Sequence, residues 1–175
     1  FEFSKTQARD AVLNLTTISL GDLFAQLLAS YEIEAHEHQI EMMQITNPEL
    51  IILEADSDKL ARVLINLITN AFKYGEGATY IKLTAQVKAQ EVEIRVINNG
   101  VQIPQEALLE IFDRFYRVES SRNSKTGGTG LGLAIVKGII LQHGGTVRAT
   151  SDAELTTFIM TLPLKQSRGN RDEVD

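Results

Sequence analysis

Gly127-Gly128-Thr129-Gly130-Leu131-Gly132-Leu133-Ala134-Ile135 sets glycine at alternate positions and then runs directly into apolar residues at helical spacing. Alternate glycines at a helix entrance let backbone N–H groups close on an anion, and the helix N-terminus adds the positive end of its dipole. A flexible linker is the plain alternative for a glycine cluster, but a linker stays polar, and this stretch does not. It is not a Walker loop, because G-x-x-x-x-G-K-[ST] does not occur, and no strand with Rossmann spacing precedes it. Seven of the twelve glycines lie between Gly127 and Gly145.

Charge is concentrated in the same neighbourhood. From Arg114 to Lys137, five basic residues (Arg114, Arg117, Arg122, Lys125, Lys137) face Glu119 alone, a net of +4 in a chain of −6. Tyr31 to Asp58 carries eight acidic residues and no Lys or Arg. The overall charge argues against nucleic acid as a partner, while the basic segment leaves a phosphate ligand open. The 175 residues suffice for one domain with a core. Without cysteine, disulfides and thiolate metal sites are excluded. No apolar run of about 18 residues is present, so no membrane contact is expected of this stretch. The opening Phe1-Glu2-Phe3-Ser4 lacks Met and a signal-peptide pattern, and a piece of a longer protein is expected.

Periodicity sketches the rest. Phe1 to about Leu15 has a helix-like mix, Ile18–Leu20 reads as a short strand, and Asp22 is set to cap a helix with Leu23, Phe24, Leu27, Leu28 and Tyr31 on one stripe. Gln39–Ile45 and Leu50–Glu54 read as strands split by Asn47-Pro48. From Asp56 or Ser57, Leu60, Val63, Leu64, Leu67, Ile68 and Ala71 recur at helical spacing up to the Gly75-Glu76-Gly77 turn. Thr79–Val87 and Glu91–Asn98 alternate as an antiparallel pair, and Pro104 opens a short helix through Ile111. A helix over about Gly130–Gln142 and strands near Thr146–Ser151 and Thr156–Leu162 complete the pattern, with a charged, disordered tail from Lys165. Helices with mostly antiparallel strands predict an α+β fold, a two-layer sandwich.

On the helix after Asp56, Asn66, Asn70 and Lys73 fall at i, i+4 and i+7 and share a face. A solvated polar stripe is the ordinary reading of such a set. Asn is a poor helix former, however, and these two are hemmed by core positions, which places them at a pocket edge. An amide oxygen suits Mg²⁺, which keeps waters and substrate phosphates in its shell. Lys73, one turn on, would reach a phosphate as a point charge. Further along, Val96-Ile97-Asn98-Asn99-Gly100-Val101-Gln102-Ile103-Pro104 reads by itself as a plain strand-to-turn exit. It is followed by Ile111-Phe112-Asp113-Arg114-Phe115-Tyr116-Arg117 and then by the glycine segment. Each stretch alone is weak. The order is what carries information.

In that order the stretches resemble the ATP-binding catalytic domain of sensor histidine kinases, in the wider GHKL (Bergerat-fold) family of topoisomerase, chaperone and mismatch-repair ATPases. Asn66–Tyr74 resembles the N box, Asn98–Pro104 the first glycine box, Phe112–Phe115 the F box and Gly128–Gly132 the second glycine box. Phe115-Tyr116-Arg117 and Gly130-Leu131-Gly132-Leu133-Ala134-Ile135 are similar to the histidine kinase branch in particular. The resemblance covers residues 19–163. It implies a mixed, mostly antiparallel sheet on helices, with ATP between the helices under a lid formed by Val118–Thr126. Residues 1–18 would be the end of a dimerisation helix and a linker, and 164–175 a tail.

The resemblance also implies roles. Asn70 would coordinate Mg²⁺ with support from Asn66, Lys73 and Arg117 would approach the phosphates, and Tyr74 would lie near the nucleotide. Asn98, Gly100, Gln102, Ile103 and Phe115, with Gly128, Thr129, Gly130, Leu131, Gly132 and Leu133, complete the ATP-binding set. The γ-phosphoryl would pass to a histidine on the dimerisation domain of the same protein, for relay to a response regulator. The parent protein would be a homodimeric bacterial plasma-membrane sensor with this domain in the cytoplasm.

Two positions depart from the family pattern. Its first glycine box normally opens with an Asp that accepts the adenine amino group, and here that position is Asn98; the second glycine of the box is Gln102. An amide both accepts and donates, so Asn98 can still pair with adenine, without the charge-assisted bond. The Asn opening is similar to the sensor kinases of vancomycin resistance. Leu155-Thr156-Thr157-Phe158 stands where the family has Gly-x-Gly-Thr. A nucleotide-binding regulatory module with weakened or lost phosphotransfer is the alternative these departures favour. An ATP hydrolase of the topoisomerase or chaperone branch would place a Glu one turn before the Mg²⁺ Asn, where this chain has Asn66. His36, His38 and His143 lack the phosphoacceptor context, and His36 and His38, at i and i+2, do not share a helix face for a metal.

Overall fold

The computed structural model describes residues 12–45, 51–118 and 129–166. The chain order is β1 (Leu15–Ser19), α1 (Leu20–Ser30), α2 (Glu32–His38), β2 (Glu41–Gln44), β3 (Ile52–Asp56), α3 (Ser57–Tyr74), β4 (Tyr80–Lys88), β5 (Glu91–Asn98), α4 (Gly132–Gln142), β6 (Thr146–Ser151) and β7 (Thr156–Pro163). The predicted central helix is α3. The Asp56 carboxylate caps it by accepting from the Lys59 N–H at 3.1 Å, and Leu60, Val63, Leu64, Leu67, Ile68 and Ala71 are all buried. Full burial of each large apolar side chain contributes about 1.5–3 kcal/mol, which outweighs the poor propensity of two mid-helix asparagines.

Five strands form one sheet in the order β2-β4-β5-β7-β6, and β1 pairs with β3 in a separate antiparallel ribbon. Only the β2–β4 pairing is parallel; β4–β5, β5–β7 and β6–β7 are antiparallel. Period-two alternation puts Leu83, Val96 and Phe158 in one cross-strand row and Ala85, Ile94 and Met160 in the next, all buried beneath the helices. Glu93 and Arg95 mark the opposite face. The predicted two-layer α+β sandwich is the observed one.

The local differences have local causes. Ser19, not Asp22, caps α1: its hydroxyl accepts from the Asp22 N–H at 3.3 Å. The strand read at Ile18–Leu20 ends at Ser19 and starts earlier, at Leu15, because pairing with β3 extends it. The apolar stripe of α1 breaks at Tyr31 and a second helix follows, closed by Gln39 in the left-handed conformation at φ 57°. That helix takes the start of the strand expected from Gln39. The strand expected at Leu50–Glu54 is shifted to Ile52–Asp56, in register with β1; Asn47-Pro48 lies outside the described residues. Residues 105–112 form successive turns instead of the helix expected after Pro104, with Glu110 N–H donating to Ala107 at 2.9 Å. Anchoring of Ala107, Ile111 and Phe112 on the sheet holds a segment too short to propagate a helix. The Phe112 ring meets Phe158 edge-on at 6.3 Å. No helix of the described residues is long and apolar enough to cross a membrane.

Candidate nucleotide site

Tertiary pairing brings the two ends of the site together. The C-terminal turn of α3, the exit of β5 and the start of β7 enclose a cavity lined by Asn70, Ala71, Tyr74, Gly75, Asn98, Val101, Ile103, Thr156 and Phe158. Helix periodicity places Asn70, Ala71 and Tyr74 on that side of α3, and the β5–β7 register sets Asn98 directly opposite Thr156 and Val96 opposite Phe158. Among the described residues the lining is apolar apart from amide, hydroxyl and phenol groups, and no acidic or basic side chain contributes to it. This combination suits a planar heterocycle with a few polar edges.

Asn98 is 4% exposed, and its Nδ2 donates to the Asn99 carbonyl at a long 3.3 Å. The neighbouring Asn99 is committed elsewhere: its Oδ1 accepts from the Thr79 and Tyr80 N–H groups at 2.9 and 3.1 Å, and its Nδ2 donates to Thr79 Oγ1 at 2.9 Å. Asn99 therefore braces the loop, and Asn98 is the amide that meets the cavity. Behind it, Ser151 Oγ accepts from the Ile103 N–H at 2.9 Å and pairs with Thr156 Oγ1 at 2.7 Å, tying the loop to both β6 and β7.

Gly75 lines the cavity, and Gly100 packs against the Gly75 backbone. Gly75 ends α3, and a Cβ there would collide with the Ala71 carbonyl and stand 3.2 Å from Asn98 Nδ2. Gly100, at φ +149°, packs so closely that its own Cβ would lie 3.0 Å from Gly75 Cα. Backbone meets backbone here, which only glycine permits.

Of the residues expected from sequence, Asn70, Tyr74, Asn98 and Ile103 bound this cavity together. Asn66 does not line it. Its Nδ2 donates to the Arg62 carbonyl at 2.8 Å, and its Oδ1 lies 3.1 Å from where a Gly132 Cβ would stand, so it occupies the seam between α3 and α4. Lys73 is exposed at the end of α3, Gln102 is exposed, and Arg117 is half-buried. Phe115 is 72% exposed and left-handed at φ 66°, with its N–H donating to the Gly130 carbonyl at 3.0 Å. Gly130, at φ 68°, would place a Cβ 2.9 Å from Phe115 Cα, so the F-box and glycine-box backbones are in contact. Thr129 is exposed, Leu131 stands at the N-cap of α4 without a side-chain cap, and Leu133 packs against the core. Gly128 and lid residues 119–126 lie outside the described residues. Sequence reading missed Val101, Thr156 and Phe158 as site residues, and saw Ala71 only as core and Gly75 only as a turn. The β5–β7 register that brings Phe158 to the site joins positions 62 apart, which no local pattern reports.

The donor set also bears on a metal. Among the described residues no three His, Cys, Asp or Glu side chains converge. A metal here would draw most of its shell from phosphate and water, with the Asn70 amide oxygen as the protein ligand on the cavity wall. That donor set fits Mg²⁺, which keeps several waters and uses few protein oxygens.

A two-layer sandwich with a cleft between the end of a central helix and the loops after the sheet strands is the GHKL type of domain. The chain belongs to the histidine kinase-, DNA gyrase B-, and HSP90-like ATPase family, which it matches over residues 55–166. It is 39% identical over 165 residues to sensor protein VanS of Enterococcus faecium, across 93% of this chain and 42% of that protein. It is 34% identical over 170 residues to sensor histidine kinase WalK of Bacillus subtilis (strain 168), across 95% of this chain and 28% of that protein. The chain thus spans less than half the length of these relatives. The catalytic domain of histidine kinase ThkA superposes with a TM-score of 0.77 at 31% identity, covering 87% of this chain and 97% of that domain. ThkA in complex with response regulator protein TrrA superposes at 0.71 with 28% identity, over 86% of this chain and 42% of that one.

Proposed function

We propose that this chain is the catalytic and ATP-binding domain of a two-component sensor histidine kinase. It binds Mg·ATP with the base in the cavity between α3 and the β5 exit, and it delivers the γ-phosphoryl to a histidine on a dimerisation domain of the same protein. The carrying observation is that Asn70 from the helix layer and Asn98 from the sheet layer, 28 positions apart, wall one cavity in a chain of this ATPase family. From there Asn98 and Thr156 address the edge of the base, and Ile103 and Phe158 bracket it. The phosphates run along the Asn66–Asn70–Lys73 face toward the N-terminus of α4, where backbone N–H groups with no side-chain cap can receive an anion. Lys73 supplies a point charge there, and Arg117 a second cation.

Mg²⁺ held by Asn70 would neutralise charge on the phosphates during transfer. The protein's own contribution is positioning: Asn66 spaces α3 from α4, the braced loop at Asn99 fixes Asn98, and Gly75 and Gly100 keep the base pocket open. The absence of a carboxylate at position 66 leaves no base on this helix face to activate water, which favours transfer over hydrolysis. The sensor names of VanS and WalK and the ThkA–TrrA complex support a sensor parent that passes phosphate to a response regulator; that parent is a homodimer in the plasma membrane in this reading.

Calorimetric titration with Mg·ATP tests the site: Asn70→Asp and Lys73→Ala should each weaken binding, and unchanged affinity would refute the assignment. Incubation of the full-length protein with γ-labelled ATP tests the chemistry. Acid-labile label is expected; its absence would leave the nucleotide-binding regulatory module that Asn98 and Gln102 favour.

A further inference from the structure

We infer that this site accepts 6-oxopurine nucleoside triphosphates as well as 6-aminopurine ones, with Asn98 as the residue that sets base selectivity. The inference rests on the nucleotide-binding reading given above and specifies its ligand class.

Asn98 is the polar side chain at the β5 exit that meets the cavity, and among the described residues no acidic side chain lines that cavity. A carboxylate at such a position would be acceptor-only: it pairs with an exocyclic amino group and repels a carbonyl oxygen at the same place. An amide carries both functions. Asn98 uses a single N–H, to the Asn99 carbonyl at 3.3 Å, a distance at the weak end for such a bond. Its Oδ1 and its second N–H make no hydrogen bond with another described residue. One face of the side chain can therefore accept from a 6-amino group and another can donate to a 6-oxo group.

The surroundings keep both options. The Nδ2 atom faces Gly75, where a Cβ would stand only 3.2 Å away, so the missing side chain leaves space beside the amide nitrogen. Thr156, opposite Asn98 in the β5–β7 register, brings a hydroxyl already paired with Ser151 Oγ at 2.7 Å, and a hydroxyl likewise donates or accepts. None of these groups is fixed in one hydrogen-bonding sense. Among the described residues no buried one-way acceptor imposes such selectivity on this pocket.

The experiment compares ATP and inosine triphosphate, each with Mg²⁺, by calorimetry on this chain. Inosine triphosphate changes the 6-position without adding the 2-amino group of guanine, so it isolates the contact at issue. The expected result is affinities within about tenfold of each other. Asn98→Asp is expected to open the gap to roughly a hundredfold in favour of ATP, since it leaves a 6-oxo group facing an unpaired acceptor. A wild-type protein that binds ATP but rejects inosine triphosphate by about a hundredfold would overturn the inference and leave ATP binding intact. So would an Asn98→Asp variant, folded by circular dichroism, with an unchanged ratio. Failure of both nucleotides to bind would overturn the nucleotide reading itself, and this inference with it. The wild-type comparison decides the matter even where the variant does not fold.

Discussion

The backbone N–H of Asp56 donates to Nε2 of His143 at 3.0 Å, across 87 positions of sequence. Because that N–H can only donate, Nε2 is the acceptor, and the ring proton sits on Nδ1, which meets the Ile139 carbonyl at 2.8 Å. His143 is 1% exposed. One neutral imidazole thus joins the C-terminal end of α4 to the N-cap of α3, the two helices that also meet where Asn66 approaches Gly132. Lys59 Nζ to Gln142 Oε1, at 3.4 Å, runs beside it.

Replacing His143 by Ala removes both bonds and opens a buried void. A loss of about 2–4 kcal/mol is expected, read as a lower urea midpoint with an unchanged slope. A loss below about 0.5 kcal/mol would show that the helix ends are held by other contacts.

Asn98→Asp should tighten Mg·ATP binding, because a carboxylate forms a charge-assisted bond to the 6-amino group where the amide forms a neutral one. The expected gain is about tenfold in affinity by calorimetry. Equal or weaker affinity would refute this account of position 98.

Gly100 and Gly77 provide a matched pair. Both have positive φ, but a Cβ at Gly77 meets nothing within 4 Å, whereas one at Gly100 reaches the Gly75 backbone at 3.0–3.2 Å. Gly77→Ala should cost about 1–2 kcal/mol of conformational strain and leave nucleotide affinity alone. Gly100→Ala should cost more and also weaken Mg·ATP binding, since the wall of the cavity must move. Equal nucleotide affinity in the two variants would show that the glycine contact does not shape the pocket.

Acid sensitivity follows from two buried carboxylates. Burial pushes Asp56 up, but the N–H groups of Asn14 and Lys59 and the Lys59 charge outweigh it and hold the group below its ordinary value. Glu93 is lowered by the hydrogen bond from Lys88 at 3.0 Å, against burial, with Arg95 at 2.7 Å adding to the effect. A carboxyl lowered in the folded state contributes stability that is complete above the unfolded value, near 4, and is lost as pH falls through the folded value. Urea midpoints should therefore fall below about pH 5. Glu93→Gln should cost about 1 kcal/mol at pH 7 and flatten that decline, because the variant has no proton to bind. A steeper decline in the variant would contradict the assignment.

Much of this was legible in local sequence, and particular residues show where legibility stopped. The spacing of Leu60, Val63, Leu64, Leu67, Ile68 and Ala71 determined α3 and its buried face, because a 3.6-residue period has one geometric solution. The same spacing put Asn66, Asn70 and Lys73 on a common face, and the alternation in β4 and β5 determined a hairpin. The order of the asparagine and glycine stretches pointed to the family. The N-cap of α1 was misread, since Ser19 and Asp22 are both competent caps and only the entry path from β1 selects between them.

What the sequence could not contain was the partner of each strand and each helix end. Period two states which side of β7 is buried, but not that β7 lies between β5 and β6; that pairing alone carries Thr156 and Phe158 to Asn98. Likewise the tetrad of Asp56, His143, Asn66 and Gly132 links α3 to α4 by one hydrogen bond and one close approach of the Asn66 side-chain amide to Gly132, neither visible at 66–87 positions' separation. Local chemistry chose the elements and the residue types at the site. Long-range packing, which must bury both apolar faces at once, chose which of those residues meet.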